Sequence, residues 1–193
     1  ALGLLRKNYV VAERAADVVR AVERALEFVD AEEKTPLHRE AATRLAILDR
    51  PEEAMAHYGA LLVIDPHDGD ARKQLRQLAK HAGRHATHAA LLIAAAEAHS
   101  EGAASVLLEA AQLRHTKLAD TDGAMDLYRR VLELNDVDAA VALKAAHALS
   151  ELLEAAERET ERLAVLEQLA ELEPSTAVRR IVLGRAARLA EHL

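Results

Sequence analysis

The residues best suited to chemistry are three closely spaced histidines, His81, His85 and His88. In one continuous helix, spacings of four and three would place their imidazoles on one face, where they could bind Zn²⁺ or Ni²⁺. Gly83 lies between them and favours a turn, so that His81 ends one helix and the other two begin the next. No cysteine or close carboxylate completes a ligand set. We therefore interpret them as surface histidines near a turn, keep a metal site as the alternative, and expect no cofactor.

The familiar sequence signatures of catalysis do not occur in this chain. It has no His-Glu-x-x-His pattern, no Gly-x-Ser-x-Gly elbow, and no glycine-rich loop for a phosphate or a dinucleotide. Glutamates are dense between Glu151 and Glu161, but they alternate with Arg158 and Arg162 at a spacing that forms ion pairs on a solvated helix face. We therefore predict that the chain is not an enzyme.

One predicted helix concentrates positive charge in an acidic chain. The formal net charge is −7, yet the segment 70–82 has four cations on the side opposite its apolar stripe of Ala71, Leu75, Leu78 and Ala82. Together with one arginine of the preceding inner helix, these cations could bind an acidic peptide or a C-terminal carboxylate. The candidate partner-binding residues are Arg39, Arg72, Lys73, Arg76 and Lys80. Alternatively, these side chains only keep an exposed helix soluble and pair with neighbouring acids.

The composition favours helices and argues against several classes of protein. Hydrophobic residues are 51% of the chain but aromatic residues only 2%, so Ala, Leu and Val dominate, which favours helix over sheet. The lack of cysteine excludes disulfides and thiol chemistry. The negative charge gives no reason to bind nucleic acid, and no apolar run approaches the roughly 18 residues of a membrane span. We expect a cytoplasmic chain that binds neither nucleic acid nor membrane.

An internal repeat with a period of 70 residues runs through the sequence. This shift aligns an Ala-Met-x-x-Tyr motif that begins at Ala54 with the same motif at Ala124. It also aligns the pairs Leu37 and Leu107, Ala41 and Ala111, Arg44 and Arg114, Leu48 and Leu118, Leu62 and Leu132, and Asp68 and Asp138. Because each half of the period contains two amphipathic segments, the repeating unit is a helix pair of about 35 residues.

Prolines, glycines and apolar periodicity predict eleven helices. Pro36 and Pro51 suit first helical positions, whereas Asp65-Pro66 and Glu173-Pro174 suit helix ends. The predicted helices span 2–11, 14–31, 36–48, 51–64, 70–82, 84–99, 103–117, 121–134, 138–155, 158–172 and 176–192. They form about five pairs and one unpaired terminal helix in a single array over 1–193, which we expect to be a piece of a longer protein.

Two segments, 36–66 and 106–136, resemble the tetratricopeptide repeat (TPR) family. The second helix of that repeat carries a small residue, an aromatic residue four positions later, an apolar pair and a closing proline. The matching residues are Ala54, Tyr58, Leu61, Leu62 and Pro66 in the first segment, and Ala124, Tyr128, Val131 and Leu132 in the second, where Asp136 replaces the proline. The resemblance implies an all-α fold, a right-handed α-solenoid of antiparallel helix pairs, whose first helices line a concave groove.

The repeat pattern and the missing catalytic residues predict a protein-interaction scaffold that binds a peptide or a partner domain in the concave groove. One alternative is a regulatory or substrate-positioning segment of a larger enzyme. Another is a homotypic assembly module, since an open solenoid exposes apolar ends through which copies can meet. The candidate end residues are Leu2, Leu4, Leu5, Ile181 and Val182.

Overall fold

A computed structural model describes the backbone from Leu2 to Leu193 and the side chains of residues 13–30 and 33–193. This range contains ten α-helices and no strand, so the prediction of an all-α fold is confirmed. The helices are α1 (Leu2–Leu26), α2 (Ala31–Ile47), α3 (Pro51–Ile64), α4 (Gly69–Ala82), α5 (His85–Ala98), α6 (Ala103–Leu118), α7 (Thr121–Glu133), α8 (Ala139–Ala155), α9 (Glu159–Leu172) and α10 (Thr176–His192). Of these helices, none has the length and apolar character needed to cross a membrane.

The helices form two compact units, which comprise residues 1–99 and 100–193. In the first unit each helix from α1 to α5 packs against the next one in the chain, and α3 also packs against α5. In the second unit the helices from α6 to α10 pack in the same consecutive order, and α6 also contacts α8. Within each unit, helices that are neighbours in sequence are therefore neighbours in space, as in a helical repeat.

Four helix pairs close through the same kind of turn. One residue of each turn has a left-handed backbone: Asp49 (φ 54°), Gly83 (φ 67°), Ala119 (φ 53°) and Glu157 (φ 55°). The amide of the following residue donates back to a carbonyl near the end of the first helix, as Arg84 N does to Ala79 O at 2.8 Å. These turns recur at intervals of 34, 36 and 38 residues along the chain, close to the predicted unit length.

Residues that the 70-residue shift aligns have similar environments. Tyr58 and Tyr128 are both buried, and so are the small residues four positions before them. Asp68 caps α4 by accepting a hydrogen bond from the amide of Ala71, and Asp138 caps α8 by accepting hydrogen bonds from two amides of its first turn. The sequence repeat therefore corresponds to repeated core positions and repeated helix caps.

The start of the chain differs from the prediction of two short helices. α1 runs without a break from Leu2 to Leu26, so the prediction of separate helices over 2–11 and 14–31 is wrong. The residues between those two predicted helices include no glycine or proline, and nothing in the backbone chemistry there ends a helix.

The role predicted for Pro36 is also wrong. α2 already begins at Ala31, and Pro36 lies inside it, where the missing N–H removes one hydrogen bond from the second turn. The other three prolines behave as predicted. Pro51 is the first residue of α3, and Pro66 and Pro174 each follow the end of a helix.

A shared core fixes the position of α4 within the first unit. Val19 from α1, Leu45 from α2 and Ala54 from α3 form a buried cluster. Leu78 from α4 packs against this cluster, together with Leu48. The three preceding helices therefore determine which side of α4 faces inward.

Candidate partner-binding surface

The candidate cations of α4 lie on a helix whose two ends are fixed by local signals. At the N-terminus, Asp68 Oδ1 accepts a hydrogen bond from Ala71 N at 2.9 Å. At the C-terminus, Gly83 adopts the left-handed conformation that ends helices. Asp70 in the first turn and Lys80 in the last turn complement the helix dipole.

The inward face of α4 is made of small and aliphatic residues. Ala71, Leu75 and Ala79 are completely buried, and Leu78 is partly buried. The observed stripe differs from the predicted one at a single position, because Ala79 is buried where Ala82 was expected and Ala82 is only partly buried. The opposite side of the helix is left to the charged residues.

Three of the predicted cations share the outward side of α4. Lys73, Arg76 and Lys80 are exposed, and their spacings of three and four residues place them on one helix face, which we call the cationic face. With Arg72, the helix has four cations and one acid, Asp70, which gives a formal charge of +3 in a chain whose total is −7. The cationic face is therefore a local reversal of the charge of the chain.

Arg72 contacts the loop that precedes α4. Its Nη2 donates to the carbonyl oxygen of Pro66 at 2.7 Å, and its Nε is buried. The second unit has the same arrangement, in which Arg179 Nη2 donates to the carbonyl oxygen of Glu173 at 2.7 Å. Each arginine lies four residues after the N-cap of its helix and holds the preceding loop, so we assign Arg72 to the support of α4.

Replacing Arg72 with alanine is expected to lower the free energy of unfolding by about 1–3 kcal/mol, since it removes a charged hydrogen bond to a loop carbonyl. Alanine at the adjacent exposed Lys73 is the matched control and should change stability by less than about 0.5 kcal/mol. Urea unfolding of both variants measures the difference. Two equally small effects would mean that the Arg72 contact adds nothing to stability.

Arg39, the fifth predicted cation, connects α2 to the beginning of α4. Its Nη2 lies 2.6 Å from Asp68 Oδ2, while the other oxygen of the same carboxylate caps α4. The Asp68 side chain is only 13% exposed, so this ion pair is partly shielded from water. Arg39 therefore lies near the base of α4 with its charge largely balanced by Asp68.

Gly83 separates the three clustered histidines, as predicted. His81 lies in the last turn of α4 and is exposed, whereas His85 begins α5. The interpretation as surface histidines is wrong for His88, which is 1% exposed because it shares the buried stripe of α5 with Leu92. Among the side chains that the structure describes, we find no group of three or more His, Cys, Asp or Glu residues that could hold a metal ion.

Two other histidines form a contact that was not predicted. His38 in α2 and His57 in α3 face each other with 2.9 Å between their Nδ1 atoms. They lie on either side of the turn at Asp49, and a helix hairpin pairs positions at similar distances from its turn. Their similar distances from the turn are the sequence signal from which this contact could have been predicted.

The second unit contains a cleft of about 240 Å³ among α7, α8 and α9. It is lined by Arg129, Leu132, Glu133, Leu149, Leu153, Glu161, Ala164, Val165 and Gln168. A hydrogen bond from Arg158, helped by the ion pair of Arg129 with Glu161 at 2.8 Å, holds the pKa of Glu161 below its ordinary value. The cleft is smaller than the roughly 300–1,000 Å³ of small-molecule sites, and its Arg129 and Glu161 pair with each other, so it does not identify a ligand.

The residues proposed for homotypic assembly divide between exposed and buried positions. Ile181 on α10 is 56% exposed, in keeping with an end surface. The prediction is wrong for Val182, which is buried on the side of α10 that also contains Ala186 and packs on α9. Three further candidates, Leu2, Leu4 and Leu5, lie outside the described side chains.

The sequence matches no model of a known protein family, and a search of curated proteins finds no significant match. The resemblance of 36–66 and 106–136 to tetratricopeptide repeats therefore rests on the residues of these segments alone. The consecutive packing of the helices is compatible with a helical repeat.

Proposed function

We propose that the chain is a protein-interaction scaffold, built as a right-handed TPR-like solenoid, whose cationic face binds an acidic segment of a partner protein. The observation that supports the proposal most strongly is the line of Lys73, Arg76 and Lys80 along one exposed side of α4 in an acidic chain. In the architecture that the resemblance implies, α4 is the first helix of its pair and lines the concave groove.

The chemistry of these residues suits carboxylates on an extended or helical peptide. Arg76 offers a planar guanidinium that binds a carboxylate through two parallel hydrogen bonds, whereas Lys73 and Lys80 act as point charges on either side of it. Each exposed ion pair contributes roughly 0.2–1 kcal/mol, so three of them favour binding by about 0.6–3 kcal/mol. Such a contact is weak and is screened by salt, which fits a transient partner.

The proposal assigns no reaction and no cofactor to the chain. A cytoplasmic location stays a prediction from the sequence. A regulatory or substrate-positioning segment of a larger enzyme would use the same surface to bind its own catalytic domain. Homotypic assembly would instead use residues such as Ile181, so it predicts contacts away from the cationic face.

Affinity capture tests the proposal with two variants that lose equal charge. The first replaces Lys73, Arg76 and Lys80 with alanine, and the second replaces the three exposed arginines Arg180, Arg185 and Arg188 of α10. We expect the wild type and the α10 variant to retain the same acidic partner from an extract, and the α4 variant to lose it. Equal retention by all three proteins would contradict a role for the cationic face.

A further inference from the structure

The His38–His57 contact joins two helices through one shared proton. The two Nδ1 atoms are 2.9 Å apart, the ring centroids are 5.2 Å apart, and the ring planes are inclined by 52°. A hydrogen bond between two imidazole nitrogens needs an N–H on one ring and a lone pair on the other. The geometry therefore accommodates a proton on one Nδ1 but not on both.

The charged groups around the pair indicate which ring donates. Glu23 Oε1 from α1 lies 4.0 Å from His57 Nε2, and this carboxylate favours a proton on that nitrogen. His57 then presents the lone pair of Nδ1 toward α2, and His38 donates its Nδ1–H. Glu53 on α3 also acts on His57, whereas Lys34 on α2 acts on His38.

These surroundings determine the order in which the two rings take up protons. Burial lowers the pKa of His57, although Glu23 and Glu53 oppose that shift. Burial also lowers the pKa of His38, and the charges of His57 and Lys34 lower it further. The first proton therefore goes to His57 Nδ1, which then becomes the donor. The hydrogen bond persists if His38 moves its own proton from Nδ1 to Nε2 and accepts through Nδ1. A second proton on His38 places two N–H groups against each other.

We propose that the His38–His57 contact is a pH-sensitive latch between α2 and α3, which holds while at most one of the two rings is charged and opens when both are protonated. The sign of the effect follows from the lowered pKa values of both histidines in the folded chain. Well above about pH 6.5 both rings are neutral whether the chain is folded or not, and the latch contributes fully. Below that pH the unfolded chain binds more protons, so stability is lost as the pH falls through the lower values of the folded state.

Urea unfolding between about pH 7.5 and about pH 5 tests the latch in the full-length chain. The double variant His38→Gln with His57→Gln removes it, and His67→Gln with His81→Gln is the control because both of these histidines are exposed. Near pH 5.5, unfolding of the wild type and of the control is expected to take up about one to two protons more than unfolding of the latch variant. Equal proton uptake by the three proteins would overturn the proposal.

An NMR titration of the ring nitrogens of the wild type tests the same latch without any substitution. At high pH we expect a proton on His38 Nδ1 and on His57 Nε2. On acidification, His57 should take up its proton before His38, and both should do so below the ordinary histidine pKa of about 6.5. Independent titration of both rings near that ordinary value would overturn the proposal, whatever the folding of the variants.

Discussion

Replacing Tyr128 with alanine is expected to lower the free energy of unfolding by about 3–5 kcal/mol, as for other large buried aromatic residues. Tyr128 is 2% exposed and lies on α7, which packs against both α6 and α8, so its loss leaves a cavity in the core of the second unit. Urea unfolding monitored by circular dichroism measures the change.

Tyr128→Phe is the matched control, because it keeps the ring and removes only the hydroxyl, and we expect it to cost less than about 1.5 kcal/mol. Burial also raises the pKa of Tyr128, so the unfolded chain ionises first and stability falls as the pH rises above about 10. Tyr128→Phe should remove that part of the alkaline loss. A loss of less than about 1 kcal/mol in Tyr128→Ala would contradict the assignment of this residue to the repeated core.

Replacing Leu45 with alanine is expected to lower the free energy of unfolding by about 2–5 kcal/mol. Leu45 is completely buried and joins α2 to Val19 and Ala54, and Leu78 of α4 packs on the same cluster. The cavity left in this cluster would therefore weaken the packing that keeps the cationic face of α4 turned outward. Hydrogen exchange of the α4 amides, measured beside global unfolding, would report this local loss.

Ile47 on the same helix supplies the control for Leu45. It is also aliphatic, but it is 57% exposed, so Ile47→Ala should change stability by no more than about 0.5 kcal/mol. Similar effects of the two substitutions would mean that the cluster around Leu45 is not packed as described, and the orientation of α4 would lose its physical basis.

The helix boundaries that strong local signals mark were predictable from the sequence. Gly83 and the prolines at 51, 66 and 174 lie at turns or helix ends because their backbone chemistry restricts them to such places. The predicted helix bounds placed Ala119 and Glu157 between helices, but their left-handed backbone was not predictable, because non-glycine residues seldom adopt a positive φ and carry no sequence signature for it. The helix start predicted at Pro36 was wrong, because α2 begins earlier and tolerates the proline in its second turn.

The candidate site was predictable to the level of the helix face but not to the level of individual contacts. Periodicity placed Lys73, Arg76 and Lys80 opposite the buried stripe, and they are exposed there. The same periodicity could not show that the guanidinium of Arg72 turns back to the carbonyl of Pro66, because that contact depends on the path of a loop. The His38–His57 pair likewise depends on the register between two helices.

The five candidate cations divide between support of α4 and exposure on its cationic face. Arg72 and Arg39 hold the loop and the cap at the start of α4, through Pro66 and Asp68. A variant that removes them would alter the fold and binding together, and its result would be ambiguous. Substitutions limited to the cationic face leave these two contacts in place. If such a variant unfolds in urea like the wild type, a loss of binding can be attributed to the lost charges.

The central claim is tested most directly by titrating the chain with a synthetic oligoglutamate peptide and measuring the dissociation constant by calorimetry. With Lys73, Arg76 and Lys80 changed to alanine, we predict an affinity about 3- to 100-fold weaker than that of the wild type, from roughly 0.6–3 kcal/mol of lost ion pairing. The variant that replaces Arg180, Arg185 and Arg188 should bind like the wild type. An affinity for the peptide that is the same in all three proteins, or lost equally in both variants, would contradict the proposal that α4 is the binding surface.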